Sequence, residues 1–394
     1  MPYRGAAMAR APDSPRPARG RLLELVRLFG TLGIIGFGGP AAHIALMRRE
    51  VVDRRGWMSD RDVMDFVALT SLIPGPNSTE LAMLVGRQRA GGRGLVVAGL
   101  AFILPAAAIV LALAWAYTTF GATPAGSGLL YGIKPVVLAL VAAAVVTFAR
   151  AALGTLPAAV LAAAAAGAWA LGVNELLVLA LAAALMAMVR LRPRPPAALS
   201  LAPLGAGMTA VGERLAATDL PLLFLVFLKA GGLLFGSGYL LLAYLRGDLV
   251  ERLGWLTDQQ LLDAVAIGQV TPGPLFTTAT FIGFLIAGLA GALLATVAIF
   301  LPGFVFSALI GPVAARLRDR PLTASLLDGL NAGAVGLMAA VTAQLGRSAL
   351  VDLPTIGLAL IAVLAVTVWR VPSVLLMGVG AVAGLAAAAA GIGP

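Results

Sequence analysis

Apolar residues run through this chain in blocks of roughly 17 to 25, the length a helix needs to cross a bilayer, and short turns between the blocks carry most of the arginines. The blocks predict helices over about 22–46, 94–120, 129–150, 154–172 and 174–190, and again over about 221–245, 291–315, 326–346, 352–369 and 371–391. None of them alternates apolar and polar residues as an outer-membrane strand does, so helices are expected and a barrel is not. After the first block of each series lies a polar-interrupted one, 60–88 and 258–288, broken at Pro74-Gly75-Pro76 and Pro272-Gly273-Pro274.

No helix runs unbroken through Pro-Gly-Pro, because two prolines remove two backbone donors and push the residue before each out of the helical region. A lone copy reads first as a kink in a membrane helix. Two copies in register read as junctions between half-helices, with Pro76 and Pro274 expected at the first helical position of the second half-helix. Its unpaired N–H groups and positive dipole end would then face the break, a setting that attracts anions.

The register comes from an internal duplication. Phe37-Gly38-Gly39-Pro40 aligns with Phe235-Gly236-Ser237-Gly238, Gly56-Trp57 with Gly254-Trp255, and Asp65 with Asp263, all without a gap. One residue is then lost, after which Pro105 meets Pro302, Gly132 meets Gly329 and Arg150 meets Arg347. The expected organisation is a disordered basic tail over 1–20, a first repeat over 21–190, a proline-rich linker over 191–218 and a second repeat over 219–394.

If the broken segments cross the membrane, the repeats point the same way; if they enter and return, the second is inverted. With hairpins, Arg48, Arg49, Arg54, Arg55, Arg61, Arg87, Arg89, Arg93, Arg150, Arg190, Arg192, Arg194, Arg316, Arg318, Arg320 and Arg370 fall on one side, against Arg246, Arg252, Arg347 and the basic N-terminal segment. That asymmetry favours inversion. The N-terminal arginines object to it, although Gly36, Gly38, Gly39 and Pro40 admit a break in the first span as well. The fold class expected is an all-α polytopic membrane protein of two homologous halves, inverted repeats of about five spanning helices each plus a broken or re-entrant Pro-Gly-Pro segment.

Composition agrees and narrows the chemistry. The 394 residues are 60% hydrophobic and 12% charged, with a mean hydropathy of +0.97, far from the quarter or so of charged residues in soluble domains. The net charge of +10 sits in loops, where it orients the chain and does not call for nucleic acid. Cysteine is absent and His43 is the only histidine, which excludes disulfides, thiolate chemistry and any ordinary zinc site. Without a Gly-Lys-Ser/Thr phosphate loop or a catalytic triad, neither nucleotide hydrolysis nor an enzyme is expected, and no cofactor.

Hydroxyl and amide donors follow each break: Asn77, Ser78 and Thr79 in the first copy, Thr277 and Thr278 in the second. Beside a helix N-terminus they suit an oxyanion. Gly38, Gly39, Gly236 and Gly238 let backbone approach a ligand or a neighbouring helix. Charged residues inside apolar blocks are costly and rarely idle: Lys134 and Lys229, the two lysines of the chain, could face a dianion, and Glu80 could carry a proton or pair with Arg87. His43 is expected to be packed or interfacial. Asp53, Asp60, Asp65, Glu251, Asp258 and Asp263 read as solvated loop or capping groups, with Ser59 and Thr257 as N-caps.

The halves Phe37-Gly38-Gly39-Pro40 through Gly56-Trp57 to Pro74-Gly75-Pro76-Asn77-Ser78-Thr79-Glu80, and Phe235-Gly236-Ser237-Gly238 through Gly254-Trp255 to Thr271-Pro272-Gly273-Pro274, closely resemble the chromate ion transporter family in its two-domain, long-chain form. The resemblance spans about residues 22–390. It implies a multi-pass carrier of the bacterial inner membrane that exports chromate and confers chromate resistance, with sulfate as the related oxyanion and coupling to the proton motive force or to sulfate exchange. Expected partners are chromate, sulfate and the lipid bilayer, with a homodimer admitted; a passive anion channel or a sulfate importer is the alternative.

Overall fold

The computed structural model describes residues 18–37, 39–71, 73–191, 219–234, 241–317 and 320–391, which form helices and no strand. The first half contains α1 (Ala18–Ile35), α2 (Gly39–Arg48), α3 (Asp60–Thr70), α4 (Asn77–Phe120), α5 (Pro124–Ala152), α6 (Leu156–Ala170) and α7 (Glu175–Leu191). The second repeats the series as α8 (Leu220–Leu233), α9 (Leu241–Leu245), α10 (Asp258–Val270), α11 (Thr278–Leu317), α12 (Pro321–Ala349), α13 (Leu353–Thr367) and α14 (Ser373–Ala389). The chain is an all-α multi-pass membrane protein of two homologous halves. The expected linker from residue 192 and the tail as far as residue 17 lie outside the described residues; α7 runs through Leu191, and α1 begins at Ala18, inside the segment expected as tail.

The first apolar block is two helices, broken where its glycines cluster. Both ends of this pair meet the same arginine: Glu24 near the start of α1 binds Arg89 at 2.9 Å, and Trp57, just beyond α2, lies under the Arg89 guanidinium at 4.8 Å. The pair therefore folds back as a hairpin. Arg19 and Arg21, at the start of α1, lie near the same end of the hairpin as Arg89.

A second hairpin follows. Ser59 caps α3 in a reciprocal box with Asp62, and Thr257 does the same for α10 with Gln260, so both expected N-caps are present. Each capped helix runs to its Pro-Gly-Pro break, and the next helix returns. That returning helix then reverses at Ala90-Gly91 and Ala287-Gly288, where the glycines have φ of 66° and 59°. The reversal lays Gly86 on Gly94 so closely that a methyl at Gly86 would lie 2.3 Å from the Gly94 carbonyl oxygen, and Gly283 meets Gly291 at the same 2.3 Å. Only glycine adopts such a φ without strain and leaves room for the contact.

The halves are interleaved. α5 packs against α13 and α14, and α12 packs against α6 and α7. Small residues make these contacts close: a methyl at Gly132 would meet the Gly380 carbonyl oxygen at 1.9 Å, and one at Gly336 the Ala162 carbonyl oxygen at 2.1 Å. Where apolar lipid supplies no hydrophobic drive between helices, this close packing holds them together. α4 packs against α11, with the Phe304 ring against Gly99.

Candidate functional site

The four chain breaks converge on one another across the two halves. The Gly75 amide donates to the Leu234 carbonyl at 2.8 Å, and the Gly273 amide donates to the Gly36 carbonyl at 2.8 Å. Leu234 and Gly36 are equivalent positions of the duplication, as are Gly75 and Gly273, so each Pro-Gly-Pro break is tied to the glycine-rich break of the other half. Gly75 and Gly273 have φ of 132° and 96°, which favours glycine at both positions. Pro74, Pro76, Pro272 and Pro274 are buried around them.

The prolines stand one position earlier than expected. Pro76 (φ −80°, ψ 98°) and Pro274 (φ −66°, ψ 131°) are extended N-cap residues, and their carbonyls accept from Thr79 at 2.7 Å and from Thr277 at 3.0 Å. A cap residue keeps non-helical angles while its carbonyl takes the first helical bond. The first half-helix then starts directly at Asn77, whereas the second starts with a short 3-10 turn, Leu275–Thr277. The earliest amides of each half-helix have no intrahelical acceptor and face the break.

Side chains distinguish the two breaks. Ser78 is buried and shares a 3.3 Å hydrogen bond with His43 Nδ1, while His43 Nε2 lies 2.9 Å from the Gly36 carbonyl and must donate there. His43 thus spans both breaks of its own half and rests edge-on against Phe102 at 5.5 Å. It is packed, as expected, but its place at the junction was not foreseen; the signal was its position four residues after the Gly39-Pro40 break. Its equivalent in the second half is Leu241, also buried.

Glu80 is fully buried, and neither of its carboxyl oxygens has a hydrogen-bond partner among the described residues. It lies against Gly75, where a methyl would come within 1.7 Å of Oε1, and against Gly303 of α11. Arg87 does not pair with it. The Arg87 guanidinium instead donates to the carbonyls of Ser307 and Ala308 at 3.0 and 2.8 Å, and the Ala308 carbonyl is free to accept because residue 312, its helical donor position, is a proline. The Thr79 and Ser307 hydroxyls are also buried without a partner. In the second half, Thr277 and Thr278 donate to the Pro274 and Leu275 carbonyls at 2.8 and 2.7 Å.

Asn77 is half-buried and lines a cavity of about 380 Å³ with Ser71, Asn331 and the ion pair of Arg190 and Asp328. Gly39 opens α2 with a φ of 75° and nothing beside it. Gly38, Gly236 and Gly238 lie outside the described residues.

The lysines stand apart from the breaks, each held by acids. Lys134 binds Asp263 at 3.1 Å and donates to Gln259 at 2.6 Å. Lys229 binds Asp248 and lies 3.8 Å from Glu175, while Asp248 also takes Arg252 at 3.1 Å. Asp263 is accordingly no solvated capping group. It is buried and accepts from Tyr117 at 2.8 Å. A lysine inside an apolar block implies a buried acid near it, and that signal could have found Asp263, Asp248 and Glu175. Asp53 and Asp60 pair with Arg48, and Glu251 and Asp258 with the buried Arg246.

The chromate transporter profile matches residues 23–188 and 222–385, one copy on each half. The chain belongs to the chromate transporter family. A probable chromate transport protein of Synechococcus elongatus is 32% identical over 92% of the chain and 95% of its own length. The chromate transport protein of Cupriavidus metallidurans is 34% identical over 87% of both, and that of Pseudomonas aeruginosa 33% over 86% of the chain and 85% of its own length. No solved structure matches. Both Pro-Gly-Pro breaks fall inside the matched residues.

Proposed function

We propose that the chain is a secondary active exporter of chromate, with sulfate as a related substrate, in the bacterial inner membrane. The observation that carries this reading is the reciprocal bonding of the two breaks, Gly75 to Leu234 and Gly273 to Gly36. Discontinuous helices meeting at a repeat interface are how many secondary carriers build a substrate site. The amides after Pro76, with Asn77, Ser78 and Thr79, supply donors to a tetrahedral oxyanion, and Pro272, Gly273, Pro274 and Thr277 form the facing wall. Glu80, beside the same break, is the proton-coupling group: an unpartnered buried carboxyl is tolerated neutral, and it exchanges its proton when the breaks open.

Inversion of the repeats is part of the proposal. α4 runs from the Arg89 turn to Tyr117, which bonds Asp263 near the start of α10, and Trp169 at the end of α6 lies under Arg246. These contacts support a reading in which the hairpins of the second half lie at the end opposite Arg89. The arginine-rich end, with Arg48, Arg54, Arg87, Arg89, Arg150 and Arg190, is then cytoplasmic.

Everted vesicles containing the protein are expected to accumulate radioactive chromate when energised, with flux that saturates and responds to a proton or sulfate gradient. No uptake under a proton gradient, with or without internal sulfate, contradicts the exporter. Non-saturating electrodiffusive current identifies a channel instead.

A further inference from the structure

A second cavity, of about 350 Å³, opens at the end of the molecule remote from Arg89, and its polar lining includes Tyr117, Ser127, Tyr131, Lys134, Gln259 and Asp263. We infer that this cavity is an oxyanion vestibule in which Lys134 is the ligand and Asp263 is a built-in competitor that sets the affinity. The inference rests on the oxyanion reading above and adds a separate site to it.

Lys134 is the one cation of that lining, and its Nζ is divided between Asp263 Oδ1 at 3.1 Å and Gln259 Oε1 at 2.6 Å. With Asp263 ionised, the pair is neutral and a dianion entering the cavity finds no excess charge. Once Asp263 takes a proton, Lys134 keeps its charge with only a neutral amide oxygen beside it. A part-buried cation left without its anion attracts another one strongly. A dianion and the Asp263 carboxylate therefore compete for the same ammonium group, and the carboxylate, being tethered, releases the ligand when it returns.

The other charged groups around Asp263 do not substitute for Lys134. α4 contributes Tyr117, whose hydroxyl donates to Asp263 Oδ2. α12 contributes Arg347, which is exposed, α11 has no charged residue before Arg316, and α14 has none. On α10 itself, Asp258 is held by Arg246. Tyr131, one turn before Lys134 on α5, donates to Asp352 at 2.6 Å.

The test is radioactive sulfate binding to the purified full-length protein across pH, with a thermal melt as the folding control. Wild-type binding is expected to tighten as pH falls. Asp263→Asn is expected to bind on the order of tenfold tighter at alkaline pH, within the usual range of coupling between two ligands, and to lose the pH response. The double variant Lys134→Gln with Asp263→Asn must lose that gain. Should Asp263→Asn fail to fold, Lys134→Gln alone carries the test, since it must flatten the pH profile. Unchanged affinity in folded Asp263→Asn, a gain that survives in the double variant, or an unaltered profile in Lys134→Gln overturns the assignment of these two residues. Wild-type protein that binds neither sulfate nor chromate at any pH overturns the oxyanion reading itself.

Discussion

At the first break the returning helix begins Asn77-Ser78-Thr79-Glu80; at the second the aligned residues are Leu275-Phe276-Thr277-Thr278. The backbones are near copies, with the same positive-φ glycine, the same cap proline and the same hydrogen bond to the opposite half. The side chains are not. Thr277 and Thr278 turn their hydroxyls onto their own helix, whereas the side chains of Thr79 and Glu80 have no hydrogen-bond partner among the described residues and Ser78 is shared with His43. Duplication has kept the scaffold that makes the break and let its side chains diverge, and the proposed function assigns ligand and proton contact to the first copy.

The largest expected effect comes from Gly75→Ala. Its methyl would collide with the Glu80 carboxyl as well as strain a φ of 132°, so transport should fall on the order of a hundredfold for about 3 kcal/mol of strain. Gly273→Ala meets the Ala106 methyl at 2.5 Å and no polar group that close; vesicle uptake should fall less, and the two variants should melt alike. Equal losses of uptake would erase the distinction between the breaks.

Next come Pro76→Ala and Pro274→Ala, which restore a backbone donor and let the helix extend over the break. Transport per molecule should drop more than protein level in both, more so for Pro76→Ala, whose cap carries the polar turn. Uptake and immunoblot signal falling in step would mean that the prolines serve folding alone.

The smallest effect is expected at the caps. Two hydrogen bonds from Ser59, its hydroxyl first and then its amide, hold Asp62 below the usual carboxylate range. A lowered folded value means that Asp62 stabilises the protein above the ordinary carboxylate range and that this contribution is lost as pH falls through the lowered value. Asp62→Asn should therefore lower the melting temperature slightly at neutral pH and not in strong acid. The second half uses Gln260 in the same box, so Gln260→Ala should cost the same at both.

Much of this architecture was legible because it repeats. The duplication placed both Pro-Gly-Pro breaks, and the Ser59 and Thr257 caps announced the helices entering them. The break between α1 and α2 was legible as glycine and proline without its consequence, since nothing local says whether a broken helix continues or returns; that depends on Glu24 and Trp57 meeting Arg89. The exchange of α13 and α14 onto α5 left no periodic trace, because glycine faces such as Gly132 and Gly384 read alike for any partner. Among the site residues, Glu80 stood out as a charge in an apolar block, while Asp263, set between Leu262 and Ala264 but close after the Thr257 cap, reads as a capping group because its partner, Lys134, lies on another helix of the other half.

The central claim is that the breaks form one site whose coupling group sits on the first copy alone. Chromate uptake into everted vesicles, measured with and without a proton gradient for wild type, Glu80→Gln and Thr278→Val, tests it directly. Glu80→Gln should lose the response to the gradient while still exchanging chromate for internal sulfate, and Thr278→Val should behave as wild type. A Glu80→Gln protein that responds to the gradient as wild type does would contradict the account.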